Sequence, residues 1–184
     1  KISPSDSENL VDLLLAFPFG DFFGDRVFEI WCLQQVIESF RRYGATNCAG
    51  PRPLSERGAR AICSMQYEGY QFDIWFQKAF PAASARWTYL HSQRILGGRP
   101  DITVVGSDGR RLLIDAKRRE VRTQTRSEET YKMLGYLENF RELFQNSQFW
   151  GALCFLSNTD LFTEATTVEG HRIVLLGAHI DDPA

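Results

Sequence analysis

With 184 residues, 43% of them hydrophobic and 13% aromatic, the chain can fill one globular domain, and its composition excludes a disordered or low-complexity protein. Lys and Arg number 21 against 23 Asp and Glu, a net charge of −2, so any contact with a polyanion has to come from local charge and not from the sum. There is no stretch of about eighteen apolar residues and no basic-then-apolar leader, which leads us to expect neither a membrane span nor a secretory signal.

The chain opens with Lys1-Ile2-Ser3-Pro4 and not with Met, so a trimmed piece of a larger protein is one expectation. Ser5-Asp6-Ser7-Glu8 is a capping box ahead of Leu10, Val11, Leu13, Leu14 and Leu15, and predicts a short helix ending before Pro18. Residues 1–24 are thus read as a helical lead-in to a core over residues 25–176. Asp25 to Tyr43 predicts a long helix, with Asp25 as N-cap and Gly44 as terminator. Ile30, Leu33, Ile37 and Phe40 form its apolar face, with Trp31 and Val36 beside it, and Glu29, one turn before Leu33, borders that face.

Residues 44–58, with Gly44, Gly50, Pro51, Pro53 and Gly58, read as a loop. Ala61–Tyr67 and Tyr70–Lys78 read as strands joined at Glu68-Gly69. Pro81 to Arg99 is a polar connection of undecided structure. Next, Asp101-Ile-Thr-Val-Val105 and Leu112-Leu-Ile-Asp-Ala-Lys117 flank Ser107-Asp108-Gly109 and predict a β-hairpin. With the turn near Asp108, facing residues have numbers summing to about 216 or 217, so Asp101 lies opposite Asp115 or Ala116. Asp115 and Lys117 share a face because strand side chains alternate. Two carboxylates and a lysine at one sheet end suit a divalent cation and a reacting phosphate. The alternative is a solvated, charged strand end.

In Glu128–Phe144, Met133, Leu137, Phe140 and Phe144 recur at helical spacing. Lys132 and Tyr136, four apart, share one face of that helix and can both reach a phosphate. Gln148–Leu156 and Ile173–Leu176 read as buried strands. The segment order gives an α/β fold with a mixed central sheet flanked by helices. Cys32, Cys48, Cys63 and Cys154 lack metal-site spacing and are expected to be free thiols in a reducing cytoplasm. His91, His171 and His179 form no ligand motif.

Pro100-Asp101 with Asp115-x-Lys117 resembles the PD-(D/E)xK nuclease superfamily. Lys132-Met-x-x-Tyr136, where many relatives carry Gln-x-x-x-Tyr, is similar to the branch holding the nuclease subunit of McrBC-type restriction systems and related prokaryotic nucleases. Glu29-Ile30-Trp31 matches a Glu-x-Trp pattern in which an early helix supplies a metal-site glutamate. The resemblance covers roughly Asp25 to Leu176 and implies a restriction-endonuclease-like core. It also implies metal ligation by Glu29, Asp101 and Asp115 on Mg²⁺ or Mn²⁺, and phosphodiester hydrolysis with Lys117, Lys132 and Tyr136 completing the catalytic set. DNA is the expected substrate, with RNA open, in restriction, antiviral defence or DNA processing. A homodimer is a further expectation, as is an NTPase or sensor partner. The basic strip from Arg110 to Arg126 fits phosphate contact, with Arg99, Arg118, Arg119, Arg122 and Arg126 as the named candidates. The rival reading is a nonenzymatic nucleic-acid-binding or assembly module that keeps the nuclease fold.

Overall fold

Strand alternation and helix periodicity combine into a sheet with a helix on each face. The computed structural model describes residues 21–120, 127–144, 149–156, 162–167 and 170–178. In chain order these form α1 (Asp21–Arg42), β1 (Thr46–Ala49), β2 (Cys63–Tyr67), β3 (Tyr70–Phe76), β4 (Ile102–Gly106), β5 (Arg111–Glu120), α2 (Ser127–Asn139), β6 (Phe149–Leu156), β7 (Phe162–Thr166) and β8 (Arg172–Ala178). The eight strands form one mixed sheet in the order β1-β2-β3-β4-β5-β6-β8-β7. Strands β1 to β5 pair antiparallel in succession; β5 with β6 and β6 with β8 are parallel, and β7 lies antiparallel to β8. A parallel neighbour needs a crossover, and α2 lies within the one between β5 and β6. The α/β class, the mixed sheet and the flanking helices are as the sequence predicts.

Along β5 the side chains separate two cores. Ile114 and Ala116 join Phe28, Cys32, Leu33 and Ile37 of α1, while Leu113 joins Met133 and Leu137 of α2. On β6, Ala152 faces the α1 side and Leu153 and Phe155 the α2 side. Because the strand period is two, Asp115 and Lys117 fall with Leu113 on the α2 side. The final apolar pair of the predicted second helix, Phe140 and Phe144, is buried as expected, but the α-helix stops at Asn139 and a 3-10 turn, Arg141–Phe144, carries the second member.

The structure revises several boundaries. Helix α1 starts by Asp21, so Asp25 is not its N-cap; Asp25 sits inside the first turns, and its carboxylate accepts a hydrogen bond from Arg118 at 3.1 Å. The predicted loop over 44–58 contains β1, which pairs with β2 through an irregular register, and the 3-10 turn Leu54–Glu56. β1 is short and exposed along its length, so it lacks the alternating apolar pattern that would mark it. β7 also went unanticipated. The capping box at Ser5, the helix before Pro18 and His179 lie outside the described residues. The four cysteines are free, and no helix among the described residues is long and apolar enough to cross a membrane.

The Glu68-Gly69 turn is where the sequence reading is most exact. Tyr67 pairs with Tyr70 across it, and both turn residues have positive φ, 50° at Glu68 and 83° at Gly69. A two-residue hairpin with both central residues at positive φ matches the strand twist. Gly69→Ala would place a Cβ in a left-handed conformation with open space around it. The expected cost is therefore purely conformational, about 1–2 kcal/mol in urea unfolding.

Candidate active site

The site forms where β5 outruns β4. Those strands pair from Ile102↔Ile114 to Val105↔Arg111, a constant sum of 216, and β5 then continues to Glu120 beside β6. Extending that register places Asp101 at the level of Asp115, one of the two predicted partners. The Asp101 side chain takes over where the ladder stops: its Oδ2 accepts a hydrogen bond from the Ala116 N–H at 2.8 Å. Its backbone carbonyl accepts one from the Gln77 N–H at 2.7 Å, which carries the β3–β4 edge one residue further.

Asp115 is 1% exposed and is held by two ammonium groups. Lys117 Nζ lies 2.5 Å from its Oδ2, and Lys132 Nζ lies 3.0 Å from Oδ1. The Lys132 pairing confirms that α2 presents this face to the strand. Burial opposes the Lys132 charge, but the Asp115 carboxylate beside it, together with hydrogen bonds to Asp115 and Tyr136, lifts its pKa above the ordinary lysine value. Tyr136 is half-buried, with the Lys132 ammonium 5.5 Å from its ring centroid. Burial is the main cause that raises its phenol pKa, against the opposing pull of Lys132.

Asp101 is pushed up to about 7, first by burial and then by the negative charges of Asp115 and Glu29. Glu29 comes from α1, on the other side of the sheet. Its pKa is raised chiefly by burial, while Arg26 and Lys117 oppose the shift. The Glu29 carboxylate pairs with Arg26 one turn earlier and accepts a hydrogen bond from Gln77 Nε2 at 3.0 Å. The structure therefore brings together all six predicted catalytic residues, Glu29, Asp101, Asp115, Lys117, Lys132 and Tyr136, within one connected electrostatic neighbourhood.

Two members of the site escape sequence reading. Arg26 could have been suspected as an i, i+3 partner of Glu29. Gln77 has no such signal: it is a buried glutamine at φ 49° just past β3, and only the sheet brings it to Asp101 and Glu29. Gln77→Ala keeps the backbone N–H that braces Asp101 but removes the Nε2 donor to the Glu29 carboxylate, and is expected to cost about 1–2 kcal/mol in urea unfolding.

Three carboxylates from three separate segments suit Mg²⁺ or Mn²⁺ as hard oxygen donors, and the Asp101 pKa is raised by burial first and then by neighbouring negative charge that a cation would neutralise. Among the described residues no three acid, histidine or cysteine side chains already converge as a metal-binding group. Arg26 pairs with Glu29, and Lys117 and Lys132 pair with Asp115. The residues fit the ion in chemistry and charge, in an ammonium-paired arrangement.

The predicted basic strip is only partly in view. Arg99 is exposed next to Pro100-Asp101, while Arg118 is occupied by Asp25 and Arg110 by Asp108. Arg122, Arg126 and the Arg119 side chain lie outside the described residues. His171 is a packing residue, stacked on Phe149 at 3.6 Å between ring centroids, and His91 is exposed. No family model matches the chain, and no curated protein matches it.

Proposed function

We propose that this chain is a metal-dependent nuclease of the PD-(D/E)xK type, hydrolysing phosphodiester bonds of DNA in prokaryotic restriction, antiviral defence or DNA processing. The observation that supports this most is the meeting of Asp101, Asp115 and Lys117 where β5 leaves β4, with Glu29 arriving from α1 and Lys132 and Tyr136 from α2. The order α1, β3, β4, β5, α2, β6 agrees with the core that the sequence resemblance implies.

Glu29, Asp101 and Asp115 would hold Mg²⁺ or Mn²⁺, which when bound supplies charge neutralisation at the phosphate and a water of lowered pKa. Lys117 orients the attacking water or, once its ammonium has released a proton to solvent, takes the water's proton; as an ammonium it offsets negative charge as the phosphorus becomes five-coordinate. Lys132 and Tyr136 hold the neighbouring phosphate by an ammonium and a phenol on one helix face. Pairing with a second copy, or with an NTPase or sensor, belongs to the same proposal.

The test is incubation with supercoiled plasmid and with linear DNA in Mg²⁺, Mn²⁺ or EDTA. Cleavage that requires metal is the expected result. The binding-module alternative draws on the same lysine pairing, since Asp115 is already neutralised internally; it would show DNA binding with no cleavage and no heat of metal binding.

Linkage supplies an independent check. The folded-state pKa of Asp101 stands above its unfolded value, so its contribution to stability is complete in acid and is lost as pH rises through about 7. The metal-free domain should therefore melt at lower temperature at pH 8 than at pH 6. Millimolar Mn²⁺ should restore more stability at the higher pH, because the ion binds the ionised carboxyl. Equal Mn²⁺ stabilisation at both values would count against Asp101 as a ligand.

A further inference from the structure

Between β3 and the site lies a segment that the mechanism above does not use. From Lys78 to Pro100 the chain contains Lys78, Arg86, Arg94 and Arg99 and no acidic residue. Its middle folds into a small antiparallel hairpin: Thr88 bridges Ile95, the Tyr89 N–H donates to Arg94 O at 2.8 Å, and the Leu96 N–H donates to Trp87 O at 2.9 Å. The outer side chains face solvent, with Trp87 59%, Tyr89 57% and Leu90 79% exposed. No other ring engages Trp87 or Tyr89, and neither Arg94 nor Arg99 has an acidic partner among the described residues.

Exposure on a loose loop would mean little, but this hairpin is clamped to α2. Asn139, buried at the end of that helix, accepts a hydrogen bond from the Trp87 N–H at 2.9 Å through Oδ1 and donates through Nδ2 to Leu96 O. The Arg86 N–H donates to the Asn139 backbone carbonyl at 2.9 Å, and the Arg86 guanidinium pairs with Glu138. Below the hairpin, Gly98 lies so close to Phe140, Tyr136 and Phe80 that a Cβ there would fall 2.5 Å from the Phe140 ring. The next residues are Arg99, Pro100 and Asp101. The aromatic tip is thus mounted on the helix that carries Lys132 and Tyr136, and its strand runs directly into the carboxylate site.

Rigidly held, solvent-facing aromatic rings among unpaired arginines match the chemistry of an unpaired nucleic-acid strand, whose bases offer apolar faces and whose backbone offers phosphates. A duplex hides its base faces and has no use for such rings. The geometry points to the Arg86–Leu96 hairpin as a base-stacking platform that makes single-stranded nucleic acid the substrate of the neighbouring site. Bases stack on Trp87 and Tyr89, and Arg94 and Arg99 pass the phosphates toward Asp101 and Asp115. This inference rests on the nuclease reading for its chemistry but makes a separate claim about binding.

The test measures binding of the whole chain to fluorescent oligothymidylate of about twenty nucleotides and to a duplex of equal length, without metal, by anisotropy. Trp87→Ala and Tyr89→Ala, separately and combined, are compared with Trp87→Phe, each checked for an unchanged melting temperature. Oligothymidylate should bind more tightly than duplex, the double variant should lose about tenfold or more of that affinity, and Trp87→Phe should keep most of it. With Mg²⁺ or Mn²⁺, single strands should be cleaved faster than duplex, and the double variant should lose that preference. Undiminished oligothymidylate binding by the double variant would overturn the inference, and so would tighter binding of duplex by the wild type or no binding of either. Hairpin-dependent binding without metal-dependent cleavage would uphold the platform and refute the nuclease reading instead. A ribo-oligomer arm distinguishes RNA from DNA as the strand bound.

Discussion

Asp115→Asn is expected to lower phosphodiester cleavage by about three orders of magnitude or more while leaving the fold intact. The two amino acids have nearly the same shape, and Asp115 lies on the α2 side of β5 beside Leu113, so the packing around it survives the change. What disappears is the charge to which Lys117 and Lys132 both point. Their side chains are partly exposed, so water can take over their solvation, and the stability loss should be small compared with the loss of rate. A plasmid-nicking assay beside a thermal melt separates the two effects. Wild-type cleavage by the variant would show that this is not the site.

Lys117→Ala gives the complementary result. It should remove cleavage to a similar extent, because the group that handles the attacking water is gone. Metal binding should persist or tighten, because the ammonium that competes for Asp115 Oδ2 is gone too. Calorimetry with Mn²⁺ on the two variants therefore distinguishes a ligand from a proton-handling residue. A purely structural ion pair would give both variants the same phenotype.

Phe140→Ala is the substitution with the largest expected effect on stability, about 3–5 kcal/mol. Phe140 is 1% exposed, packs against Phe80 at 4.5 Å between ring centroids, and covers Gly98. Truncation would leave a cavity between the end of α2 and the strand leading to Asp101, where the surrounding backbone is tied down by the Asn139 hydrogen bonds and cannot readily collapse. Urea unfolding would report the loss of stability. Cleavage by the still-folded fraction should fall as well, since Phe140 holds the helix bearing Lys132 and Tyr136 against the strand bearing Asp101. Leu113→Ala, at a position equally buried but on the sheet itself, is a stability control.

The central part of the fold was legible because its elements are strongly periodic. Met133, Leu137 and Phe140 are buried as their spacing requires, and the β4–β5 hairpin takes the predicted register since its turn residues and two apolar runs agree. Exposed β1 was not legible, because a short edge strand with no buried face has no pattern to read. The start of α1 was misplaced for a related reason. Asp25 has the composition of an N-cap, but nothing in its own chemistry prevents the helix from beginning a turn earlier, and its carboxylate is used by Arg118 from β5.

For the site, the sequence alone determined which groups share a strand face and a helix face. Asp115 with Lys117 follows from a period of two, and Lys132 with Tyr136 from a period of 3.6, both local properties of the backbone. Only the tertiary structure decided that those faces meet, because the distance between β5 and α2 is set by packing and not by spacing along the chain. It also decided what no local pattern contains: that Gln77 joins Glu29 to the Asp101 backbone, that Lys132 of α2 closes on the buried Asp115 carboxylate of β5, and that Asn139 fastens an exposed Trp87 beside them. Each of these is a contact between segments far apart in the chain, and burial gives it its strength by removing the water that would otherwise compete.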